Sequence, residues 1–320
     1  MIQRIYTSLK KQPIWLILLG MVFLSSIFVS DFFAFGNFKN VLVQSAVDGM
    51  LALGMTFLMI NGYFDLSVGT VMGFTAALAI GLQPYGLVVA VVVALLAGAA
   101  IGAINGFFVA KAKINAFIVT LGSFIGVRGL IYIYTKEQAL VGEVMDFGMF
   151  GASDFLGLPT LFIIMFVLML IAEFVLRKTP HGRNTYAIGG NIEAAENSGI
   201  PVDRTIWMNF IICGFTAAIG GVLLASRLNA ATPTLGWPDK NLMTIAVVVL
   251  GGTSLAGGYG NITRTLGGLF TFGVLYNILN LLGVQSYYNT LITGIVLILV
   301  VYIDAHIRKN RLSIGYSIFG

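Results

Sequence analysis

Ionisable side chains are rare inside the long apolar segments of this sequence, and those that occur there are the first candidates for chemistry. Asp48 and Arg128 lie within apolar runs, and Asp65 lies in a short polar break between two such runs. A charged group in apolar surroundings is costly, so it needs a partner or a function. Phe64 and Ser67, close to Asp65, add an aromatic ring and a hydroxyl group. These five residues are the candidates for a polar pathway that a hydroxylated solute or an ion could follow.

The local pattern leaves two interpretations open for Asp65 and three for Arg128. Asp is a favoured N-cap residue, and Asp65 precedes Leu66, the predicted first residue of the next helix. The carboxylate is alternatively part of a pathway or gate, and both can hold because helix ends inside transporters often border the pathway. Arg128 either extends to the outer membrane surface, donates hydrogen bonds to a polyol, or pairs with Asp48.

Residues 182–201 form a polar, glycine-punctuated segment that predicts one short helix outside the apolar part of the protein. Asn191 is placed as the N-cap, and Glu193 lies in the first turn, where the helix dipole favours an anion. Gly199 is placed just past the helix end. A helix of about seven residues is not stable alone in water, so a partner must hold it. We expect segment 177–204 to contact a cytosolic protein.

Composition places these segments in a membrane protein. Of 320 residues, 58% are hydrophobic and only 10% are charged, and the mean hydropathy is +0.94. Soluble domains carry roughly 25% charged residues.

The single cysteine, Cys213, excludes a disulfide framework, and two separated histidines make a metal site improbable. The net charge of +5 comes from residues at segment ends, so nucleic-acid binding is not expected.

Ten apolar segments are predicted to cross the membrane, since a helix needs about 20 residues to span the hydrocarbon core. This predicts an all-α polytopic fold in a single domain, residues 1–320. The segments 66–82 and 241–256 are short and glycine-rich, so each is expected to be a broken or re-entrant helix. The predicted spans are 14–30, 40–60, 66–82, 87–109, 114–135, 159–176, 205–226, 241–256, 266–283 and 288–304.

The distribution of Lys and Arg predicts the orientation of these spans. Of eighteen basic residues, thirteen fall at one set of segment ends, four fall at the other set, and Arg128 lies in a span. Cytoplasmic loops are enriched in Lys and Arg, so both termini and segment 177–204 are expected in the cytoplasm. The thirteen are Arg4, Lys10, Lys11, Lys111, Lys113, Arg177, Lys178, Arg183, Arg204, Arg264, Arg308, Lys309 and Arg311, and the four are Lys39, Lys136, Arg227 and Lys240.

Two patterns bear on how the helices pack. The segment Asp65-Leu66-Ser67-Val68-Gly69-Thr70 matches Lys240-Asn241-Leu242-Met243-Thr244-Ile245 in a candidate inverted repeat, a common transporter design. Small residues recur every four positions at Gly98, Gly102 and Gly106, a spacing that lets helices approach closely. The sequence does not choose between packing within the subunit and packing at a dimer interface.

No catalytic constellation is apparent. The glycine-rich stretch 251–260 lacks the Lys-Ser/Thr pair of a phosphate-binding loop, and no G-x-x-x-x-G-K-[ST], H-E-x-x-H or G-x-S-x-G motif occurs. The chain is therefore expected not to be an enzyme. Glu173 and Arg177, four residues apart at a helix end, are expected to form an interfacial pair without a transport role.

Four blocks then occur in a characteristic order: 64–69, 113–122 with Arg128-Gly129 after it, 182–199 and 250–260. Together they resemble the ribose/arabinose/xylose permease family of bacterial ABC sugar importers, over residues 40–304. Gly-Arg-Asn-Thr and Ile-Pro-Val-Asp-Arg-Thr, around the third block, are most similar to arabinose-type members. Tyr63 departs from the family pattern, because many members have a small residue there.

The resemblance implies a type II-like permease in the bacterial inner membrane that imports a monosaccharide, expected to be a pentose. It implies a permease homodimer or a heterodimer with a related permease, cytosolic ATP-binding subunits, and a periplasmic or extracellular sugar-binding protein. No cofactor is expected. An ion-coupled secondary transporter of a small polar solute remains the alternative, with Asp48, Asp65 and Arg128 as coupling groups. The ATPase-coupling role falls on Gly189, Gly190, Asn191, Glu193, Ala194, Ala195 and Gly199.

Overall fold

The computed structural model describes residues 13–236, 239–285, 287–299 and 301–302. The expected cytoplasmic termini and the end of the predicted span 288–304 lie outside these residues. So do six of the basic residues in the orientation argument: Arg4, Lys10, Lys11, Arg308, Lys309 and Arg311.

The described part of the chain is almost entirely helical, which confirms the all-α prediction. Each of the ten predicted spans coincides with one helix, and α6, α8 and α9 are additional. The helices are α1 (Pro13–Phe28), α2 (Phe35–Ile60), α3 (Val68–Gly81), α4 (Leu87–Ala110), α5 (Ala116–Thr135), α6 (Met145–Ala152), α7 (Thr160–Lys178), α8 (Pro180–Gly190), α9 (Ile192–Asn197), α10 (Val202–Leu228), α11 (Lys240–Leu250), α12 (Ile262–Leu281) and α13 (Tyr287–Leu299).

Helix length separates full spans from half-spans. Helices α2, α4, α5, α7 and α10 are long and apolar enough to cross a membrane. Helix α3 has 14 residues and α11 has 11, so at 1.5 Å per residue they extend about 21 and 16 Å. Neither length reaches across a hydrocarbon core of about 30 Å. As expected, both are short helices, and α11 stops at Gly251-Gly252, where Gly252 has a φ of +91°.

Helices α2 and α10 form the centre of the molecule, and α10 also packs on α3 and α4. The four-residue glycine repeat of α4 makes the last of these contacts. A side chain at Gly98 would lie 2.5 Å from the Ala218 Cβ atom, and one at Gly106 would lie 2.8 Å from the Phe210 Cβ atom. Gly102 lies between them against Gly214. These glycines therefore pack within the subunit, which the sequence left undecided.

The segment between α5 and α7 closes the end of the bundle at which α3 stops. Strand β1 (Leu140–Val141) pairs antiparallel with β4 (Ala230–Ala231), and β2 (Asp154–Phe155) pairs with β3 (Leu158–Pro159). The side-chain oxygen of Gln83 accepts hydrogen bonds from the backbone N–H groups of Glu143 and Val144 at 2.8 and 3.0 Å. This segment therefore ties the end of α3 to the end of α10.

Candidate functional site

The two half-helices α3 and α11 begin beside each other. A side chain at Gly69 would lie 2.6 Å from the carbonyl oxygen of Gly236 and 3.4 Å from the backbone nitrogen of Asn241. Gly236 in turn has a φ of +81° and would overlap Gly69 if it carried a Cβ atom. The segments 65–70 and 240–245, which the sequence matched as a candidate repeat, are thus neighbours in space.

Asp65 is the buried centre of a polar cluster at the start of α3. Only 1% of the residue is exposed, and its Oδ1 atom accepts from the backbone N–H of Ser67 at 2.7 Å and from the Ser67 hydroxyl at 2.6 Å. The amide of Asn105 on α4 donates to Oδ2 at 3.3 Å. Ser123 of α5 donates to the Asn105 side-chain oxygen. The cluster therefore joins α3, α4 and α5 through neutral donors.

The capping interpretation of Asp65 agrees with this geometry. Its carboxylate accepts the N–H two residues ahead, as an N-cap does. The regular helix begins at Val68, two residues later than predicted, because Leu66 and Ser67 form a turn that leads into it. Among the described residues, Asp65 has no ion-pair partner.

Asp48 pairs with Lys240, not with Arg128. The Lys240 Nζ atom lies 2.5 Å from the Asp48 Oδ1 atom, and the two side chains are 29% and 7% exposed. The Asp48–Arg128 pair, one of the three interpretations of Arg128, does not occur among the described residues. Arg128 instead donates from Nε and Nη2 to the Tyr132 hydroxyl, at 3.2 and 2.9 Å. A buried pair of this kind is costly to break, because removing one partner typically costs about 3–5 kcal/mol.

Lys240 occupies an unusual position for a cation. It is the first residue of α11, where the helix dipole disfavours positive charge. Asp48 offsets this effect. Asn241, only 7% exposed, has a buried side-chain oxygen without a hydrogen-bond partner among the described residues.

Phe64 lines a pocket beside the turn that precedes Asp65. The pocket has a volume of about 500 Å³ and is lined by the 62–64 turn and by the α4–α5 connection, including Lys113 and Phe117. Lys113 pairs with Asp203 at 2.5 Å, and this hydrogen bond raises the pKa of the Lys113 ammonium group. The structure therefore brings Phe64, Asp65 and Ser67 together, whereas Asp48 and Arg128 belong to other clusters.

The segment 177–204 contains two helices where the sequence predicted one. For α9 the prediction is confirmed: the Asn191 side chain accepts from the backbone N–H of Ala194 at 2.9 Å, Glu193 lies in the first turn, and Gly199 has a φ of +74°. Helix α8 was missed. It begins at Pro180 with Thr179 as its N-cap, a combination that favours a helix start.

Helix α8 is fixed to the bundle by a buried network of neutral polar groups. The amide of Asn209 on α10 donates to the Asn61 oxygen at 3.0 Å and to the Thr185 hydroxyl at 3.2 Å. The His181 Nε2 atom lies 2.8 Å from the Asn209 oxygen. Burial lowers the pKa of His181, so its neutral form is favoured. The network therefore links α8 to α10 and to the end of α2.

The end of α8 also packs against the glycine-rich link 251–260. A Cβ atom on Gly189 would overlap the carbonyl oxygen of Ile60 and lie 2.5 Å from the Gly258 nitrogen. That Gly258 N–H donates to the Ile60 carbonyl at 2.8 Å. Gly190 has no neighbouring atom within 4 Å of the equivalent position. A side chain is therefore excluded at Gly189, whereas there is free space for one at Gly190.

Sequence comparison decides the family. A family described as "Branched-chain amino acid transport system / permease component" matches residues 37–301. The chain belongs to this permease family.

Curated relatives of this permease are named for sugars. Ribose import permease protein RbsC of Bacillus subtilis (strain 168) is 42% identical over 84% of each chain. RbsC of Escherichia coli (strain K12) is 41% identical over 92% of this chain and 94% of its own. The L-arabinose transport system permease protein AraH of the same strain is 37% identical, over 93% and 92%. Over the whole chain, the identity to these two ribose permeases is slightly higher than the identity to this arabinose permease, although two short segments were predicted to be of the arabinose type. No solved structure gives a significant match.

Glu173 of the permease forms the predicted pair and also makes a contact that the sequence did not predict. The expected pair with Arg177 is present, at 2.5 Å, but the Glu173 side chain is only 16% exposed. Its Oε2 atom accepts from the backbone N–H of Ile262 at 2.9 Å, and Oε1 accepts from the Thr263 hydroxyl at 3.2 Å. Glu173 therefore also caps the start of α12 from the neighbouring helix α7. Sequence spacing could not reveal this contact, because the residues are far apart in the chain.

Two further polar residues of the permease were missed. Asn105 lies inside the apolar stretch of α4 and is fully buried, and Lys240 was counted as an outer-loop base. Each carried a signal: an amide in the middle of an apolar span, and a lysine at the first position of a short helix. Both signals indicate a partner elsewhere in the fold.

Proposed function

We propose that this protein is the membrane permease subunit of an ATP-driven ABC importer for a pentose such as ribose or arabinose. The observation that carries the proposal is the two-helix segment 177–204, anchored to α2, α10 and the link 251–260. The relatives named as ribose and arabinose permeases give the substrate class. ATP hydrolysis belongs to separate cytosolic subunits, because the chain has no phosphate-binding loop.

The anchored segment suits a coupling role. Helix α9 is too short for independent stability, and its exposed surface is available to ATP-binding subunits. Helix α8 transmits force because its buried network couples it to α10 and to the end of α2. Closure of the ATPase dimer would then shift the segment and switch the bundle between outward-facing and inward-facing states. The sugar arrives from a soluble sugar-binding protein, so the pathway needs only weak contacts with it.

The ion-coupled alternative is less favoured by the same contacts. Asp65 accepts three hydrogen bonds from neutral groups, and Asp48 is paired with Lys240. Both carboxylates are thus engaged by the protein itself. The deciding experiment uses proteoliposomes that contain the permease with its ATPase subunits and binding protein. Uptake of labelled ribose or arabinose should require ATP and persist when ion gradients are collapsed. Gradient-driven uptake without ATP would refute the proposal.

The permease is proposed to act as a pair, with α5 at the subunit contact. A side chain at Gly122, Gly126 or Gly129 would meet no atom within 4 Å, so this face of α5 is smooth and open. Arg128 on the same helix would be costly against lipid. Cysteine at Ile125, which is 63% exposed, should cross-link two copies, whereas cysteine at Ile104 of α4, 55% exposed, should not.

Orientation in the inner membrane belongs to the same proposal. Segment 177–204 and both termini lie in the cytoplasm, as the excess of Lys and Arg predicts. The sugar-binding protein then docks on the opposite face, which carries the 136–159 segment.

A further inference from the structure

The short β-hairpin that precedes α7 has one face bound to the protein and one open face. Strands β2 and β3 pair Asp154 with Pro159 and Phe155 with Leu158. Pro159 is buried, and Asp154 forms an ion pair with Lys39 of α2. In the other pair, Phe155 is 62% exposed and Leu158 is 39% exposed. Because cross-strand partners lie on the same face of a hairpin, the open face is apolar.

The tip of the hairpin is an unusual place for a leucine. Leu156 and Gly157 form the two-residue turn, with φ values of +52° and +80°. Turns of this kind favour Asn or Asp before Gly, and a leucine at positive φ is strained. Leu156 is 88% exposed, so packing within the protein does not offset the strain. A strained apolar residue without an internal contact indicates a contact outside the protein.

The open face of the hairpin is continuous with a surface that faces lipid. Helix α7, which follows the hairpin, is apolar and long enough to cross a membrane, yet most of it is exposed. Leu170 and Phe174, for example, are 54% and 62% exposed. The Thr160 backbone N–H at the start of α7 donates to the Ser153 carbonyl at 2.9 Å, which ties the hairpin to this helix. The subunit contact, in contrast, is proposed at α5.

Helix α2 sets the depth of the hairpin in the bilayer. Its 26 residues extend about 39 Å, whereas the hydrocarbon core is about 30 Å thick. The start of α2 therefore reaches the headgroup layer. Lys39 lies in the second turn of α2, and Phe35 and Phe38 beside it are 66% and 52% exposed. The ion pair of Lys39 with Asp154 places the hairpin at this level and neutralises its only charged residue.

We propose that hairpin 154–159 is a membrane-interface anchor. Phe155, Leu156 and Leu158 insert between the phospholipid headgroups and upper acyl chains of the leaflet opposite segment 177–204. Apolar side chains gain free energy when they leave water, and the binding of such a surface to a bilayer grows with its apolar area. The anchor holds the start of α7 at a fixed depth. It does not depend on which solute the permease transports.

The test uses the permease with its ATPase subunits in nanodiscs of phosphatidylethanolamine and phosphatidylglycerol. Leu156→Cys is labelled with an environment-sensitive fluorophore, and the native Cys213 is buried and protected from the reagent. The emission should be shifted to the blue. Lipids with a nitroxide at the top of the acyl chain should quench it, and iodide in the water should not. The matched control is Ala139→Cys, an exposed position beside Glu137 and Gln138, where iodide should quench and the lipid nitroxide should not.

Three results at position 156 would overturn the anchor. Quenching by iodide as strong as at position 139 would place the tip in water. Protection from iodide without quenching by the lipid nitroxide would show a protein contact, such as a second copy of this chain. Quenching by iodide that disappears when the sugar-binding protein is added would make the hairpin a docking surface for that protein.

A second measurement shows whether the apolar tip itself holds the hairpin in the lipid. The fluorophore is moved to Phe155→Cys, and either Leu156→Asp or Leu156→Met is added. The carboxylate should withdraw the hairpin, so quenching by iodide should rise and quenching by the lipid nitroxide should fall. Leu156→Met keeps an apolar tip of similar size and should change neither. Equal quenching in the two variants would overturn the role of the tip in the anchor.

Discussion

Loss of the Asp65 carboxylate should impair both folding and transport. In Asp65→Ala, the buried backbone N–H of Ser67 loses its acceptor. The Asn105 amide loses one of its two acceptors, because it also donates to the Ser67 hydroxyl at 3.1 Å. A buried donor left unsatisfied costs about 1–3 kcal/mol, so the two lost hydrogen bonds together should destabilise the protein by roughly 2–6 kcal/mol. The Ser67 hydroxyl can rotate to another acceptor. We therefore expect a strong loss of ATP-driven pentose uptake and a lower melting temperature in detergent.

Asp65→Asn separates the hydrogen bonds from the charge. The Asn oxygen can still accept from Ser67, and its amino group can meet an Asn105 amide turned by 180°, because the Ser123 hydroxyl accepts as well as donates. The expected cost is below about 1 kcal/mol, with mild effects on uptake. The control is Asp154→Asn, a carboxylate in an exposed pair. Equal losses in Asp65→Ala and Asp65→Asn would show that the charge itself is required and would favour ion coupling. Normal uptake and stability in Asp65→Ala would refute the assignment of Asp65.

Further predictions concern the end of the bundle that carries segment 177–204. Glu173→Ala should lower the free energy of unfolding by about 1 kcal/mol, because a helix cap is lost. Glu173→Gln keeps an oxygen acceptor and should not lower it. Equal melting temperatures of the two variants would contradict this prediction. Gly189→Ala should abolish assembly with the ATPase subunits, because the new Cβ atom overlaps the Ile60 backbone, whereas Gly190→Ala should be tolerated. Pull-down of the ATPase subunits with each variant measures this assembly. Burial lowers the pKa of His181, so the unfolded state binds the proton more readily, and stability should fall below about pH 6.5. His181→Gln should weaken that fall in thermal melts, and an unchanged pH profile would refute it. Cysteine at position 198 should be labelled only from the cytosolic side of the membrane. Labelling in intact cells by a reagent that cannot cross the membrane would contradict the proposed orientation.

Much of segment 177–204 could be predicted from the sequence, because its helix signals depend on residues close together in the chain. The cap at Asn191, the anion at Glu193 and the left-handed Gly199 depend on neighbours within a few residues, and all three are present in α9. The apolar segments likewise locate the ten long or half-length helices, because a membrane-crossing element must satisfy its backbone hydrogen bonds internally. The sequence placed α9 but missed α8, although Thr179 and Pro180 favour a helix start there. The contacts that hold α8 to Asn61 and Asn209 come from distant parts of the chain.

Pairings between distant segments could be decided only by the tertiary structure. The sequence left Arg128 open as a partner of Asp48, but the packing of α2 against α11 places Lys240 beside Asp48 instead. It predicted the Glu173–Arg177 pair, which is present, but only the packing of α7 against the start of α12 shows that Glu173 also caps that helix. Local sequence determined where the ten apolar helices lie in the chain and which residues are costly in an apolar environment. The fold decided which of those costly groups meet, because charged side chains find partners through packing between helices that are far apart in the chain.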